Sequence, residues 1–281
     1  MQSYFVTGGT GFIGRFLIAT LLDQREGEIH VLVRKSSLPR LRAMIERLPG
    51  AAKRVKPVVG DLTEPLLGVE AGWITRHKGK IGHYFHLAAI YDMTAGDEFN
   101  QRVNVEGTQN AISLANALET GCLHHTSSVA AAGDYVGTFT EAMFDEGQPL
   151  PSPYHRTKFE SEALVRTTAR VPWRVYRPAI VVGHSQTGAM DKIDGPYYLF
   201  KTIQRMAQTL PRWTPLVGPE LGRTNIVPVD FVVRAMDHIA HTPGLDGHAF
   251  HLVHPEGQPT VDIFNAISAA AGGPQIRVRV G

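Results

Sequence analysis

Tyr4-Phe5-Val6-Thr7-Gly8-Gly9-Thr10-Gly11-Phe12-Ile13-Gly14 runs from an apolar strand through a glycine cluster into a helical pattern. Each glycine has its own task in such a turn. Gly8 lets the chain leave the strand sharply, Gly11 lets a pyrophosphate approach the backbone, and Gly14 lets the helix pack closely on the sheet. The helix behind them offers unpaired N–H groups to an anion. A glycine string alone also describes an ordinary turn, but between a strand and a helix it reads as a dinucleotide-binding one. Thr7, Gly8, Gly11, Phe12, Ile13 and Gly14 are the cofactor contacts expected from this segment.

Outward from this turn, short apolar runs alternate with helical patterns. Phe12 to Leu22 reads as a helix with Phe12, Phe16, Ala19 and Leu22 as its inner stripe. Strands are expected at His30 to Val33, Val55 to Val59, Tyr84 to Leu87, Leu123 to Thr126 and Arg174 to Val182. Helices fall between them at Arg40 to Leu48, Val103 to Leu118 and Tyr154 to Ala169. Such alternation, with near-continuous apolar strands, implies an α/β fold: a Rossmann-type doubly wound parallel sheet covered on both faces.

After Gly183 the rhythm changes. Residues 184–223 are rich in Gly, Pro and aromatics, which suggests a small C-terminal substrate lobe. Thr224 to His241 and Ala249 to Val253 return to strand and helix patterns. The expected organisation is therefore a Rossmann domain over 1–183, with 224–258 returning to it, and a lobe of 184–223 and 259–281. Ile276 to Val280 alternates like a half-buried strand. A lobe that stops on a strand reads as incomplete.

Composition narrows the classes. The 281 residues carry 28 basic and 26 acidic side chains, 28 − 26 = +2, too balanced for non-specific nucleic-acid binding. With 43% apolar and 19% charged residues, a core is easily built and disorder is not expected. The one cysteine, Cys122, excludes a disulfide framework and any multi-cysteine metal site, and a reducing, cytoplasmic setting fits. Met1 to Thr7 has no basic region of a signal peptide, and no apolar run reaches the roughly 18 residues of a spanning helix. Of the 13 histidines, His124 and His125 are strand neighbours, point to opposite faces and cannot share an ion, so no metal is expected.

Several residues carry chemistry. Where the second strand ends, an NAD site would place an acid on the ribose 2′-hydroxyl, but this chain has Arg34. A guanidinium there suits a 2′-phosphate and favours NADPH, although a solvated basic turn is the plainer alternative. Asp61 either accepts from the adenine amino group or caps the turn after the third strand. His86-Leu87-Ala88-Ala89 ends the fourth strand with small residues suited to lie under the cofactor, and His86 reads as packed rather than catalytic. Tyr154 and Lys158 share a helix face at i and i+4. An ammonium beside a phenol stabilises the phenolate, making the phenol a usable proton donor, and can also hold the nicotinamide ribose. Alone, the same spacing also describes a surface pair. Ser128, past the carboxyl end of the fifth strand, would hold a substrate carbonyl or a developing alkoxide, with Ser127 as its competitor.

Taken together, the glycine turn, Gly60-Asp61-Leu62, His86-Leu87-Ala88-Ala89, Asn104-Val105-Glu106-Gly107-Thr108, Ser127-Ser128 and Tyr154-x-x-x-Lys158 resemble the extended short-chain dehydrogenase/reductase family over residues 3 to about 255. The resemblance implies Ser128, Tyr154 and Lys158 as catalytic residues and Asn104 as the support of the lysine. Asp61, Leu62, Ala88, Asn104, Tyr154, Lys158 and Pro178 join the implied cofactor contacts, Arg177-Pro178 lying beside the nicotinamide. More narrowly, Tyr176 to Ser185, Met190 to Tyr198 and Asn225 to Val232 look like the N-terminal reductase domain of bacterial fatty acyl-CoA reductases, in the thioester reductase and male-sterility branch. That implies NADPH-dependent reduction of a fatty acyl thioester, on CoA or on a carrier, to an aldehyde, in many relatives onward to an alcohol. Cys122 sits at the start of the fifth strand, where a free cysteine is usually buried, so direct hydride transfer is expected rather than an acyl-enzyme. The alternatives are a sugar-nucleotide epimerase or dehydratase, a hydroxysteroid-type dehydrogenase, or a dinucleotide-sensing regulator. Oligomeric state is not legible.

Overall fold

The structure is a computed structural model that describes residues 3–88, 101–190 and 200–280. Along the chain the strands are β1 (Ser3–Thr7), β2 (Ile29–Val33), β3 (Val55–Val59), β4 (Ile81–His86), β5 (Cys122–Thr126), β6 (Trp173–Pro178), β7 (Ile180–Val182), β8 (Pro215–Pro219), β9 (Arg223–Thr224), β10 (Ile226–Pro228), β11 (His248–Leu252), β12 (Gln258–Pro259) and β13 (Gln275–Val280). Two compact units divide them. The first holds residues up to Pro178 together with Val229–Leu252, and the second holds Ala179–Pro228 with the residues from Val253 on.

The first unit is a seven-stranded sheet in the order β11-β6-β5-β4-β1-β2-β3, every pairing parallel. The strand order reverses between β1 and β4, the place where an open α/β sheet opens a crevice for ligands. On one face Phe5, Tyr84, Leu123, Val175 and Ala249, one from each of five adjacent strands, pack against Ile112, Leu118 and Val165 of the covering helices. The Phe5 and Tyr84 rings stack at 4.8 Å. The opposite face is unusual for a core because polar rings line it. His83 Nδ1 lies 2.9 Å from His124 Nε2, and His124 Nδ1 lies 3.0 Å from the Tyr176 hydroxyl. Burial holds His83 down to about 4 and His124 well below its ordinary value, so both rings are neutral.

Helix Phe12–Gln24 corrects the expected stripe. Gly14, Leu17, Ile18 and Leu21 are its buried residues, whereas Phe12, Phe16, Ala19 and Leu22 are only half-buried. The glycine turn sets this phase. A Cβ on Gly14 would lie 2.2 Å from the Gly8 carbonyl oxygen, so Gly14 must face the turn, and Leu17, Ile18 and Leu21 follow it inward at helical spacing.

The strand expected over Arg174 to Val182 is two strands. β6 ends at Pro178 in the large sheet, and β7 pairs in parallel with β10 in the second unit. Residues 179–183, 224–228 and 253–258 therefore belong to the second unit, not to the Rossmann body. That unit also pairs β8 with β13 in parallel and β9 with β12 antiparallel. Asn265 clamps β13 by donating to the Ile276 carbonyl at 3.0 Å and accepting from Ile276 N–H at 2.8 Å. From Arg277 to Val280 this strand is exposed rather than half-buried. Among the described residues, no helix is long and apolar enough to cross a membrane, and no group of three or more His, Cys, Asp or Glu is placed to hold a metal.

Candidate active site

The glycine turn forms a cradle that side chains would fill. Gly8 has φ +72°, and a Cβ there would lie 2.8 Å from Ala88 N. The turn closes through Gly11 N–H donating to the Gly8 carbonyl at 2.9 Å. Helix Phe12–Gln24 starts with neither a side-chain cap nor an acid in its first turn, leaving its N–H groups open to an anion. The residues therefore fit a dinucleotide pyrophosphate. Phe12 and Ile13 stand half-buried at this helix start. Thr7 is fully buried, and its hydroxyl serves the protein: it accepts from Ala88 N–H at 3.3 Å and lies 2.8 Å from His86 Nδ1.

Arg34 is exposed where β2 ends, and no acid pairs with it among the described residues. Asp61 takes up a capping role, its Oδ1 accepting from Thr63 N–H at 3.0 Å and from the Thr63 hydroxyl at 2.9 Å. Leu62 packs against the core cluster, and its carbonyl accepts from the Asn110 side chain at 3.0 Å. Ala88 closes the floor under Gly8, and Ala89 lies outside the described residues, as do 191–199. Pro178 is buried at the carboxyl end of β6.

Tyr154 and Lys158 rise from the start of helix Pro153–Thr168. Ser152 caps it, accepting from His155 N–H at 3.4 Å, and Pro153 supplies the preset first turn. Lys158 reaches the end of β5 and donates to the Thr126 carbonyl at 3.2 Å. Its ammonium lies 6.0 Å from the centre of the Tyr154 ring. Two residues beyond Thr126, Ser128 opens the short turn Val129–Ala132, which packs on the same helix. Ser128 Oγ accepts from Ala130 N–H at 3.2 Å and donates to no described residue, so its proton remains for a ligand. Ser127 Oγ, in contrast, is buried without a partner among the described residues. One strand end and one helix start thus bring Ser128, Tyr154 and Lys158 to the carboxyl edge of the sheet. Burial brings the Lys158 ammonium down to about 8, against the opposing pull of Glu162.

Asn104 lies beneath, in the turn Gln101–Glu106, its Nδ2 donating to Thr157 Oγ1 at 3.4 Å and its carbonyl sharing the Ser161 hydroxyl, 2.8 Å away, with the Thr157 carbonyl at 2.6 Å. Thr157 and Ser161 flank Lys158 on its helix. The sequence reading missed Glu162, although it stands one turn past Lys158. It is fully buried, and Arg177 grips it with two bonds, Nη2 to Oε1 at 2.7 Å and Nε to Oε2 at 3.1 Å. Arg177 also donates to the Met143 carbonyl at 2.9 Å, tying the loop before the helix to β6. Cys122 opens β5 at the end away from Ser128, buried, with its thiol pushed up to about 12 by burial. Burial thus disfavours the thiolate that a nucleophile needs.

Comparison with known proteins places this geometry. Residues 6–236 match the family model described as Male sterility protein. The chain is 29% identical to one component of the linear gramicidin synthase of Brevibacillus parabrevis, over 95% of its length and 5% of that protein's. It is 30% identical to the non-canonical nonribosomal peptide synthetase FrzA of a Cladobotryum species over 94% of its length and 27% of that protein's. The chain thus spans a small part of the curated relatives it matches. Among solved structures it superposes on the terminal R domain from the myxalamid PKS-NRPS biosynthetic pathway with a TM-score of 0.84 and 27% identity, covering 98% of this chain and 72% of that one. The chain belongs to the Male sterility protein family, in the thioester-reductase branch of the extended short-chain dehydrogenase/reductases.

Proposed function

We propose that the chain reduces an acyl thioester to an aldehyde with NADPH by direct hydride transfer, the acyl group being presented on a carrier protein. The observation that carries this reading is the cluster of Ser128, Tyr154 and buried Lys158 at the end of β5, with Cys122 shut away at the other end. The names of the matched relatives, peptide synthetases and a terminal R domain, support a carrier-bound acyl group over free acyl-CoA.

When bound, NADPH supplies the hydride. Arg34 would hold its 2′-phosphate, and the open start of helix Phe12–Gln24 would hold its pyrophosphate. Ser128 and Tyr154 hold the thioester carbonyl oxygen by their hydroxyl protons. As the carbonyl carbon gains hydride, Tyr154 gives its proton to the developing alkoxide, and Lys158 steadies the phenolate left behind. The C–S bond of the resulting hemithioacetal then breaks, the hydroxyl proton leaves as the aldehyde carbonyl re-forms, and the thiol departs protonated. A second round at the same residues would carry the aldehyde on to the alcohol.

The test supplies one acyl group in two forms, on CoA and on a phosphopantetheine carrier protein. NADPH consumption, free thiol and trapped aldehyde are followed together. The expectation is equal yields of thiol and oxidised cofactor, with the carrier form turned over faster. A ratio of two cofactors per thiol marks the alcohol as product. Absence of thiol release from both forms sinks the proposal.

A further inference from the structure

His86 does more than pack. It is buried, and its two ring nitrogens face two threonine hydroxyls. Thr108 donates its one hydroxyl proton to the Asn104 carbonyl at 2.6 Å. With its proton committed there, Thr108 Oγ1 faces His86 Nε2, 3.1 Å away, as an acceptor, the arrangement in which all four contacts are hydrogen bonds and Nε2 carries the ring proton. On the other side, Thr7 Oγ1 accepts from Ala88 N–H and faces His86 Nδ1 at 2.8 Å. With Nδ1 bare, the Thr7 hydroxyl donates to it. One directed chain results: Ala88 N–H to Thr7, Thr7 to His86, His86 to Thr108, Thr108 to the Asn104 carbonyl. Burial, helped by the nearby Lys158 ammonium, pushes His86 down to about 3, so the ring stays neutral.

The two ends of this chain are the parts that must be held in register. Ala88 is the floor against which Gly8 presses. Asn104 bonds Thr157 and Ser161, which flank Lys158 on its helix. We propose that His86 is a positioning residue whose neutral Nε2–H form fixes the floor of the dinucleotide turn relative to the helix that carries Lys158. The proposal rests on the assignment of those two parts to cofactor binding and proton transfer. An imidazole suits the post because it is rigid and offers a donor and an acceptor on opposite sides of one ring. A protonated ring would leave the Thr7 hydroxyl proton without its acceptor.

The test has two arms. In the cofactor-free protein, ¹⁵N shifts of the imidazole rings are recorded at neutral pH, with His86 assigned by its loss in His86→Gln. The expected signature is a protonated Nε2 and a bare Nδ1. An Nδ1–H ring or an imidazolium overturns the proposal, whatever the substrate proves to be. In the second arm the ends are cut separately. Thr7→Val should weaken NADPH binding about tenfold with little change in kcat, and Thr108→Val, which acts through Lys158, should lower kcat about tenfold with a clearly smaller loss of NADPH binding, as expected for one buried hydrogen bond each. His86→Leu should damage both, and His86→Gln, which keeps a donor and an acceptor, should recover most of the loss. Equal losses of binding and turnover in Thr7→Val and Thr108→Val would mark mere destabilisation and overturn the positioning role. If His86→Leu fails to fold, the ring signature and the two threonine variants still decide.

Discussion

Replacing Tyr154 by Phe keeps the ring and its packing while removing the proton that the proposed reaction needs. Turnover should fall on the order of 10²-fold or more, with NADPH affinity little changed. Lys158→Ala should damage both, because in the proposed reaction the same ammonium steadies the phenolate and would hold the cofactor ribose. Single-turnover rates and calorimetry separate the two effects, and near-normal turnover in Tyr154→Phe would place the acid elsewhere. In the proposed reading Arg34 sets cofactor choice. Wild type should bind NADPH more tightly than NADH, and Arg34→Asp should erase or reverse the preference; equal affinities in the wild type would remove that role. At this scale the pairing of Tyr154 with Lys158 was legible because their spacing, i and i+4 on one helix face, is written in the chain. The Lys158 anchor was not, since it is the backbone carbonyl of Thr126, which no side chain betrays. Arg177 was placed beside the nicotinamide by resemblance, yet only the fold reveals its grip on Glu162.

Between strand and helix, the glycine turn works by exclusion of side chains. Gly14→Ala would push a methyl to 2.2 Å from the Gly8 carbonyl oxygen, a backbone atom that cannot step aside. The turn must open, so NADPH affinity should fall at least about tenfold while the sheet stays folded. A cofactor titration alongside circular dichroism checks this, and unchanged affinity would mean the turn does not hold the pyrophosphate. Element type was readable from periodicity, because strands buried on both faces appear as short apolar runs. Phase was not. The stripe of Phe12, Phe16, Ala19 and Leu22 has the right spacing but the wrong rotation, since the contact of Gly14 with the turn decides which face goes in. Nor does an apolar run name its partner. Ile180-Val181-Val182 continues the pattern of β6, yet it pairs with β10 in the second unit.

Over the whole molecule, the first unit holds a set of histidines that must stay uncharged. Burial lowers His30 and His83 to about 4 and His86 to about 3, and takes His124 and His125 well below their ordinary value. In the unfolded chain each titrates near 6.5. Protons therefore favour the unfolded state as pH drops below about 6.5, and the stability present above that value drains away towards pH 4. Each group such as His30 or His83 should cost roughly 1–2 kcal/mol at pH 5. Asp237, held near 2 by its hydrogen bonds with His241 and Arg25 against the cost of burial, adds nothing in this window because its contribution is lost only below about 3.8. Urea midpoints at pH 7.5 and pH 5 should show a clear fall, whereas a flat profile would mean the rings are not held neutral. The parallel sheet was legible from strand-helix alternation, but this polar face was not, because neighbours such as His83 and His124 come from strands far apart in sequence. The central claim, direct reduction of a thioester at Tyr154 and Lys158, meets its most direct test in the fate of the hydride. With NADPH deuterated at the transferable position and a carrier-bound acyl thioester, mass spectrometry should find one deuterium on the aldehyde carbon, free thiol in equal amount, and an unmodified Cys122. An aldehyde without deuterium, or an acyl group trapped on Cys122, would contradict it.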